Sequence, residues 1–191
     1  TGVQTCALPI LTHTIEDLER AVKVKLSWVR LTENGHIDLQ HLEELLSSGE
    51  KTLVSLMHAN NEVGNLLPLS EVAGLCQKYN AYFHCDTVQT MGHYAIDLSA
   101  IPVHFVSCAA HKFHGPKGVG FLYIRHDVKI HPFIFGGAQE RNMRGGTENV
   151  YGIIGLAKAF ELAHQHMEEH QQHISNLKSR MATQDRKSTR L

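Results

Sequence analysis

Residues 107–118 read SCAAHKFHGPKG, and this stretch ends an apolar run with a lysine, Lys112. The run, residues 104–110, has the composition of a buried strand, while the glycines and the proline after Lys112 interrupt regular structure. Burial of a lysine is costly unless its charge is paired or neutralised, so a lysine here needs an explanation. Two explanations are open: the stem packs while the ammonium group reaches solvent, or the amine performs covalent chemistry on a carbonyl group.

The composition is that of an ordinary soluble globular domain. Of the 191 residues, 42% are hydrophobic and 19% are charged, and the formal net charge is -1. This charge gives no electrostatic basis for binding nucleic acid or an anionic membrane, and no apolar run is long enough to predict a membrane-spanning helix. The four cysteines have no CxxC spacing, which favours a reducing compartment, so we expect a cytoplasmic protein.

Both ends of the chain differ in character from the rest. Residues 1–10 (TGVQTCALPI) lack the features of a signal peptide, and residues 186–191 (RKSTRL) are basic and unpatterned. Both resemble translated sequencing-adapter sequence. We therefore interpret residues 11–185 as the protein's own sequence and as an internal fragment of a longer protein.

Strands alternate with helices along the chain. This order predicts a three-layer α/β/α fold with a mostly parallel sheet, in which ligands bind beyond the carboxyl ends of the strands. Helical spacing and capping residues predict helices over residues 14–24, 39–49 (capped by Asp38 after an Asn34-Gly35 turn), 68–79 and 150–181. Short apolar runs predict strands at residues 52–58, 81–86, 103–110 and 118–125.

Polar residues of particular types follow these strands. The strand at 81–86 ends at Asp86, and the strand at 103–110 leads into His111 and Lys112. Each has a simpler explanation alone, since Asp86 can cap a helix and Lys112 can be a solvated stem. Together, an amine, a carboxylate and nearby donors suit pyridoxal phosphate, because the amine forms a Schiff base and the carboxylate keeps the pyridine nitrogen protonated.

Four segments resemble the cysteine desulfurase and selenocysteine lyase group of class V aminotransferase-like enzymes. Their order and spacing match that group from about residue 11 to residue 180. The resemblance implies an incomplete large domain of a fold-type I pyridoxal phosphate enzyme. The segments are HANNEVG (58–64), HCDTVQT (84–90), AAHKFHGPKGVGFLYIR (109–125) and GGAQERNMRGGTENV (136–150).

The resemblance implies roles for individual residues around the cofactor ring. Lys112 is the Schiff-base lysine, Asp86 holds the pyridine nitrogen, and Gln89 holds the ring oxygen. Asn61 is expected near the ring oxygen and the substrate carboxylate.

The resemblance also implies contacts with the cofactor phosphate. His111 contacts the phosphate in its own subunit, and Thr147 reaches the phosphate of the neighbouring subunit's cofactor. This second contact implies a homodimer with shared active sites.

The reaction that the resemblance implies is removal of sulfur from L-cysteine, which gives alanine and an enzyme persulfide. A sulfur-acceptor protein would then receive the persulfide sulfur for iron–sulfur cluster assembly or thiolated cofactors. Selenocysteine lyase, or another class V aminotransferase-like enzyme, is the alternative.

The sequence departs from the group's pattern in ways that concern function. Ala109 occupies a position where the group often has a phosphate-binding serine, which removes one hydrogen bond of about 1–3 kcal/mol. The ring-stacking histidine should precede residue 11, and His13 lies too far along to replace it. The sulfur-accepting cysteine and the substrate-binding arginine should follow residue 180. None of Cys6, Cys76, Cys85 and Cys108 matches that cysteine, so we expect this fragment to be inactive alone.

A metal-binding or non-catalytic α/β domain is the competing class of function. His166, His170 and His173 have the spacing of one helix face, which is compatible with a metal site. Their segment is polar all round, and no cysteine or carboxylate completes a recognisable motif, so we expect no metal site.

Overall fold

A six-stranded sheet organises the protein. The computed structural model describes the backbone of residues 2–5 and 9–188 and the side chains of residues 12–185. Strands β1–β5 are parallel and β6 is antiparallel to β5, in the order β2-β1-β3-β4-β5-β6. The strands are β1 (Gly2–Thr5), β2 (Leu26–Trp28), β3 (Leu53–Met57), β4 (Tyr82–Asp86), β5 (Phe105–Ala109) and β6 (Gly120–Ile124).

Helices connect most of these strands. They are α1 (Pro9–Arg20), α2 (Leu39–Leu46), α3 (Leu69–Lys78), the single turn α4 (Gln139–Asn142), α5 (Val150–Gln165) and α6 (Met167–Ser188), with a 3-10 turn at Ala110–Phe113. The predicted N-cap of α2 is confirmed, since the Asp38 side chain accepts a hydrogen bond from the His41 amide, but the helix ends at Leu46 with Ser47 as its C-cap, before the predicted end at Gly49. The long helix predicted over residues 150–181 is instead two helices that meet at His166.

The two faces of the sheet have different surroundings. Strand residues on one face are fully buried and pack against α2, α3 and α5 in the hydrophobic core; Val54, Leu56, Phe83 and Val106 are examples. Residues on the other face, such as Tyr82, Phe105 and Leu122, remain partly exposed. The chain moves along the sheet in one direction from β1 to β2 and in the reverse direction from β2 to β3 and β4. Because crossovers between parallel strands are right-handed, α1 lies on the opposite face of the sheet from α2 and α3. The predicted three-layer α/β/α architecture agrees with this arrangement.

Two strands were not predicted from the sequence. Strand β2 has only three residues, and β1 lies in the first ten residues, which we interpreted as foreign. That interpretation of residues 1–10 and 186–191 stays a prediction, and residues 1, 6–8 and 189–191 lie outside the described part of the chain.

The close approach of β6 to β5 requires a glycine at residue 120. A Cβ atom there would collide with the carbonyl oxygen of Cys108. By contrast, a Cβ atom on Gly74, on the exposed side of α3, would meet nothing within 4 Å.

We therefore expect Gly120→Ala to destabilise the full-length gene product, meaning this chain with any further sequence that its gene encodes, by about 1–3 kcal/mol. Gly74→Ala, the matched control, should stabilise it by up to about 1 kcal/mol because alanine is the better helix former. Urea unfolding monitored by far-UV circular dichroism measures both. A wild-type midpoint for Gly120→Ala would contradict the tight β5–β6 contact.

Candidate active site

Strands β3, β4 and β5 end side by side at one edge of the sheet. The register pairs Met57 with Asp86 and Asp86 with Ser107, so Asp86 ends the middle strand. Strand β5 then continues into the 3-10 turn that carries His111 and Lys112. The topology thus brings the predicted carboxylate and the predicted His-Lys pair to the same edge.

Asp86 is a buried carboxylate without a cationic partner. The residue is 4% exposed, and its Oδ1 atom accepts a hydrogen bond of 2.9 Å from the Val88 amide. Among the described residues no lysine, arginine or histidine forms an ion pair with it. A buried charge is costly unless it is paired, so this carboxylate is suited to a positively charged group that residues 12–185 do not supply.

Hydrogen bonds fix the backbone around Asp86 on both sides. The carbonyl of Asp86 accepts from the His58 amide at 2.8 Å, which ties β4 to the end of β3. The amide and the hydroxyl of Thr87 both donate to the Ser107 carbonyl, at 3.1 and 2.9 Å, which ties β4 to β5. The carboxylate is therefore held on a rigid backbone.

His58 secures the turn that follows Asp86, a contact that sequence reasoning missed. Its Nδ1 atom and the Thr90 hydroxyl share a buried hydrogen bond of 2.9 Å, and its ring lies edge-on to Tyr94. Burial lowers the pKa of His58. The available signal was its position at the end of the buried run 52–58, where it is also the first residue of the HANNEVG motif.

Lys112 is exposed to solvent on a turn whose flanking residues are buried. Ala110 and Phe113 are buried on either side of it, while Lys112 is exposed and forms no ion pair with any described residue. The Lys112 carbonyl accepts a hydrogen bond of 2.9 Å from His93 Nε2. A Cβ atom on Gly115 would lie 2.9 Å from the Ala110 carbonyl oxygen, so the glycine after Lys112 allows the chain to fold back under the turn.

The other predicted site residues differ in their exposure and in their hydrogen bonds. Gln89 is half-buried in the turn after β4, close in sequence to Asp86, and His111 is exposed beside Lys112. Asn61 is exposed and its Nδ2 atom donates to Glu62 Oε1 at 2.8 Å. Thr147 is exposed on the loop before α5, and among the described contacts none joins it to the other site residues.

The described cysteines are buried thiols. Cys76, Cys85 and Cys108 are all free, and burial raises the pKa of Cys76 and of Cys108 to about 12 and that of Cys85 further still. A thiol reacts as its thiolate, so none of these three is suited to nucleophilic attack. Cys85 lies on β4 and Cys108 on β5, and Cys6 lies outside the described residues.

The histidines of the last two helices lie on the surface. His166 and His170 stack with ring centroids 5.9 Å apart, and His166 also contacts Glu169 at 3.2 Å. Within residues 12–185 no group of three or more metal-ligating side chains is close enough to hold an ion.

The chain belongs to the class-V aminotransferase family. A sequence model of the family described as Aminotransferase class-V matches residues 11–188. Enzymes of this family depend on pyridoxal phosphate.

Relatives within this family carry the name cysteine desulfurase. The chain is 44% identical over 169 residues to a protein named cysteine desulfurase IscS from Clostridium botulinum, a match covering 88% of this chain and 42% of that protein. It is 39% identical over 167 residues to a putative cysteine desulfurase IscS 1 from Bacillus subtilis, covering 87% of this chain and 44% of that protein. The chain thus spans less than half the length of these curated relatives.

Solved structures show the same fold. A NifS-like protein superposes with a TM-score of 0.90 at 39% identity, over 95% of this chain and 50% of that one. DndA from Streptomyces lividans superposes with a TM-score of 0.87 at 30% identity, over 95% of this chain and 52% of that one. The family resemblance and the α/β fold class inferred from sequence are both confirmed.

Buried histidines make the stability of the fold sensitive to acid. Burial lowers the pKa of His58, His84 and His104, and the nearby Arg125 charge lowers that of His104 further. Below the unfolded-state pKa of about 6.5 the unfolded chain therefore binds more protons than the folded protein. Stability is then lost as the pH falls.

We expect the free energy of unfolding of the full-length gene product to fall as the pH is lowered from about 7.5 to 5.5. The loss is up to about 1.4 kcal/mol per pH unit for each histidine that binds a proton in the unfolded chain but not in the folded protein. His104→Gln should reduce this slope, whereas His131→Gln, at an exposed position, should leave it unchanged. Urea unfolding at several pH values measures the slopes. Equal slopes for His104→Gln and the wild type would contradict the assignment.

Proposed function

We propose that the full-length gene product is a pyridoxal phosphate-dependent cysteine desulfurase. It removes sulfur from L-cysteine, releases alanine and leaves the sulfur as a persulfide on an enzyme thiol. The observation that carries the proposal is the buried Asp86 carboxylate, which has no cationic partner among the described residues and lies at the sheet edge that presents Lys112. The 44% identity to a protein named cysteine desulfurase supports the choice of reaction.

The residues at this edge fit the cofactor, which supplies an electron sink for the carbanion formed at the substrate Cα. The Asp86 carboxylate would bind a protonated pyridine nitrogen. Its backbone is held by two neighbouring strands, so the charge needs no reorganisation when the ring binds. Gln89 would donate to the ring oxygen, and His111 would donate to the phosphate.

Lys112 has two tasks in this reaction. Its Nζ atom would hold the cofactor aldehyde, for which an exposed primary amine without an ion-pair partner among the described residues is suited. As a free amine, Nζ would accept the proton from the substrate Cα. The bond from His93 to the Lys112 carbonyl keeps the turn in place while the side chain moves.

Asn61 would contact the ring oxygen and the substrate carboxylate. For this its Nδ2 atom must give up its present hydrogen bond to Glu62. The exchange is cheap because both side chains are exposed and solvent can satisfy Glu62.

The sulfur-accepting thiol belongs to a part of the protein outside the described residues. Cys76, Cys85 and Cys108 are buried with raised pKa values, which supports this assignment. The sulfur of the persulfide would then pass to an acceptor protein. Selenocysteine in place of L-cysteine is the alternative substrate, and no described residue distinguishes the two.

A second copy of the chain would complete the site. Large apolar side chains are exposed on both sides of the Thr147 loop: Phe133 at 93%, Phe135 at 83%, Tyr151 at 91% and Ile154 at 63%. Exposed patches of this kind are typical of protein interfaces. A homodimer that buries them would bring Thr147 to the partner's cofactor phosphate, which supports the proposal of shared active sites.

We further propose that the protein works in the cytoplasm. The three described cysteines are unpaired, as expected in a reducing compartment. In the described part of the chain no helix has the length and apolar character needed to cross a membrane.

The covalent anchor is tested by reduction with borohydride. The full-length gene product with pyridoxal phosphate should show a visible absorption band that borohydride abolishes, and peptide mass spectrometry should find the reduced adduct on Lys112. Lys112→Ala should lose the adduct, while Lys117→Ala, five residues along the same loop, should keep it.

Alanine release from L-cysteine, measured in the same samples, tests the reaction. We expect a loss of about a thousand-fold in Lys112→Ala, because proton transfer at Cα loses its base, and nearly wild-type release in Lys117→Ala. A wild-type protein that carries the adduct on Lys112 yet releases no alanine would contradict the cysteine desulfurase reaction. An adduct on another lysine would contradict the assignment of Lys112.

A further inference from the structure

His84 forms a hydrogen-bonded bridge across three strands of the sheet. Its Nδ1 atom shares a 2.8 Å hydrogen bond with the Ser55 hydroxyl on β3, and its Nε2 atom shares one of 3.2 Å with the Ser107 hydroxyl on β5. Both ring nitrogens are therefore engaged. One donates and the other accepts, and each serine hydroxyl can take the complementary role.

This bridge lies on the same face of the sheet as Asp86. Side chains alternate along a strand, so His84 and Asp86 point the same way from β4, about 7 Å apart at their Cα atoms. Ser107 is also the register partner of Asp86, so the residue that holds one end of the imidazole lies directly beside the carboxylate. The intervening Cys85 points to the opposite, core face, where it is fully buried.

The environment favours a neutral ring at His84. Burial lowers its pKa, and the Asp86 carboxylate opposes this with a smaller effect. A neutral imidazole leaves the carboxylate charge available to a cationic ligand, whereas a protonated imidazole would compete with that ligand for the charge. Packing alone explains an apolar side chain on this partly exposed face of the sheet more easily than it explains a hydrogen-bonded histidine there.

We propose that His84, held by Ser55 and Ser107, is a positioning residue for Asp86 and fixes the orientation in which the carboxylate meets the cofactor's pyridine nitrogen. This role rests on the proposed function. His84 does not touch the reacting atoms and acts through Asp86 and the strand ends that carry it. The cross-strand bridge keeps the ends of β3, β4 and β5 in register at the point where the cofactor would bind.

The test uses the full-length gene product and three variants. His84→Phe keeps the ring's approximate shape but removes both hydrogen bonds, and His84→Gln retains one donor and one acceptor. His104→Phe is the matched control, because both ring nitrogens of His104 are also hydrogen-bonded, but to the Phe83 amide and Arg125 near the opposite edge of the sheet. Each apo protein is titrated with pyridoxal phosphate, and the visible circular dichroism of the bound cofactor is recorded.

We expect His84→Phe to weaken cofactor binding by about ten-fold and to change the visible circular dichroism, because the ring is held in a different orientation. The dissociation constant of His84→Gln for the cofactor should stay within about two-fold of the wild-type value, because glutamine keeps one donor and one acceptor. His104→Phe should lower the urea midpoint while leaving the dissociation constant and the cofactor spectrum unchanged.

Two results would contradict the role of His84 without contradicting the proposed function. One is wild-type affinity and dichroism in His84→Phe, and the other is a loss of affinity in all three variants that follows their loss of stability. A wild-type protein that fails to bind pyridoxal phosphate overturns the proposed function, and the role of His84 with it.

Discussion

A buried carboxylate without a charged partner is the constraint on which the site depends. Asp86 is 4% exposed and accepts a backbone hydrogen bond, but no described side chain neutralises it. An unpaired buried charge destabilises a folded protein, so a cationic ligand at this position would offset that cost. The neighbouring features follow from this requirement: strands that fix its backbone, a lysine-bearing turn on the next strand, and a hydroxyl-bound imidazole on the same face.

The alternation of side chains along β4 separates structural from chemical residues. Phe83 and Cys85 point into the core between the sheet and its helices, where both are fully buried. His84 and Asp86 point to the other face, where the polar groups gather. Two adjacent residues, Cys85 and Asp86, consequently differ in character: burial makes the thiol unreactive, whereas the carboxylate is the proposed partner of a cationic group.

The sequence predicted the elements that carry strong local signals. Strands β3, β4 and β5 are short, largely apolar runs, and Asp38 caps α2 as its type and position predict. Strand β2 escaped prediction because three residues are too few to show a period, and the antiparallel direction of β6 depends on pairing with β5 rather than on local pattern. The break at His166 likewise has no glycine or proline to signal it.

The candidate site was predicted in part. Asp86, Gln89, His111 and Lys112 could be placed because each follows a strand whose carboxyl end defines one edge of the sheet. The bridge through His84 could not, since it joins side chains 29 and 23 residues apart along the chain and depends on strand register. Thr147 lies on an exposed loop whose proposed partner is a second subunit, which no pattern within one chain can locate.

The central claim is that Asp86 supplies the charge that a protonated pyridine nitrogen requires. The most direct measurement compares the affinity of the apo full-length gene product for pyridoxal phosphate and for its 1-deaza analogue, in which carbon replaces that nitrogen. A charge-assisted hydrogen bond predicts a wild-type preference for pyridoxal phosphate of about 10- to 100-fold, largely lost in Asp86→Asn. Equal wild-type affinities, or an undiminished preference in Asp86→Asn, would contradict the account.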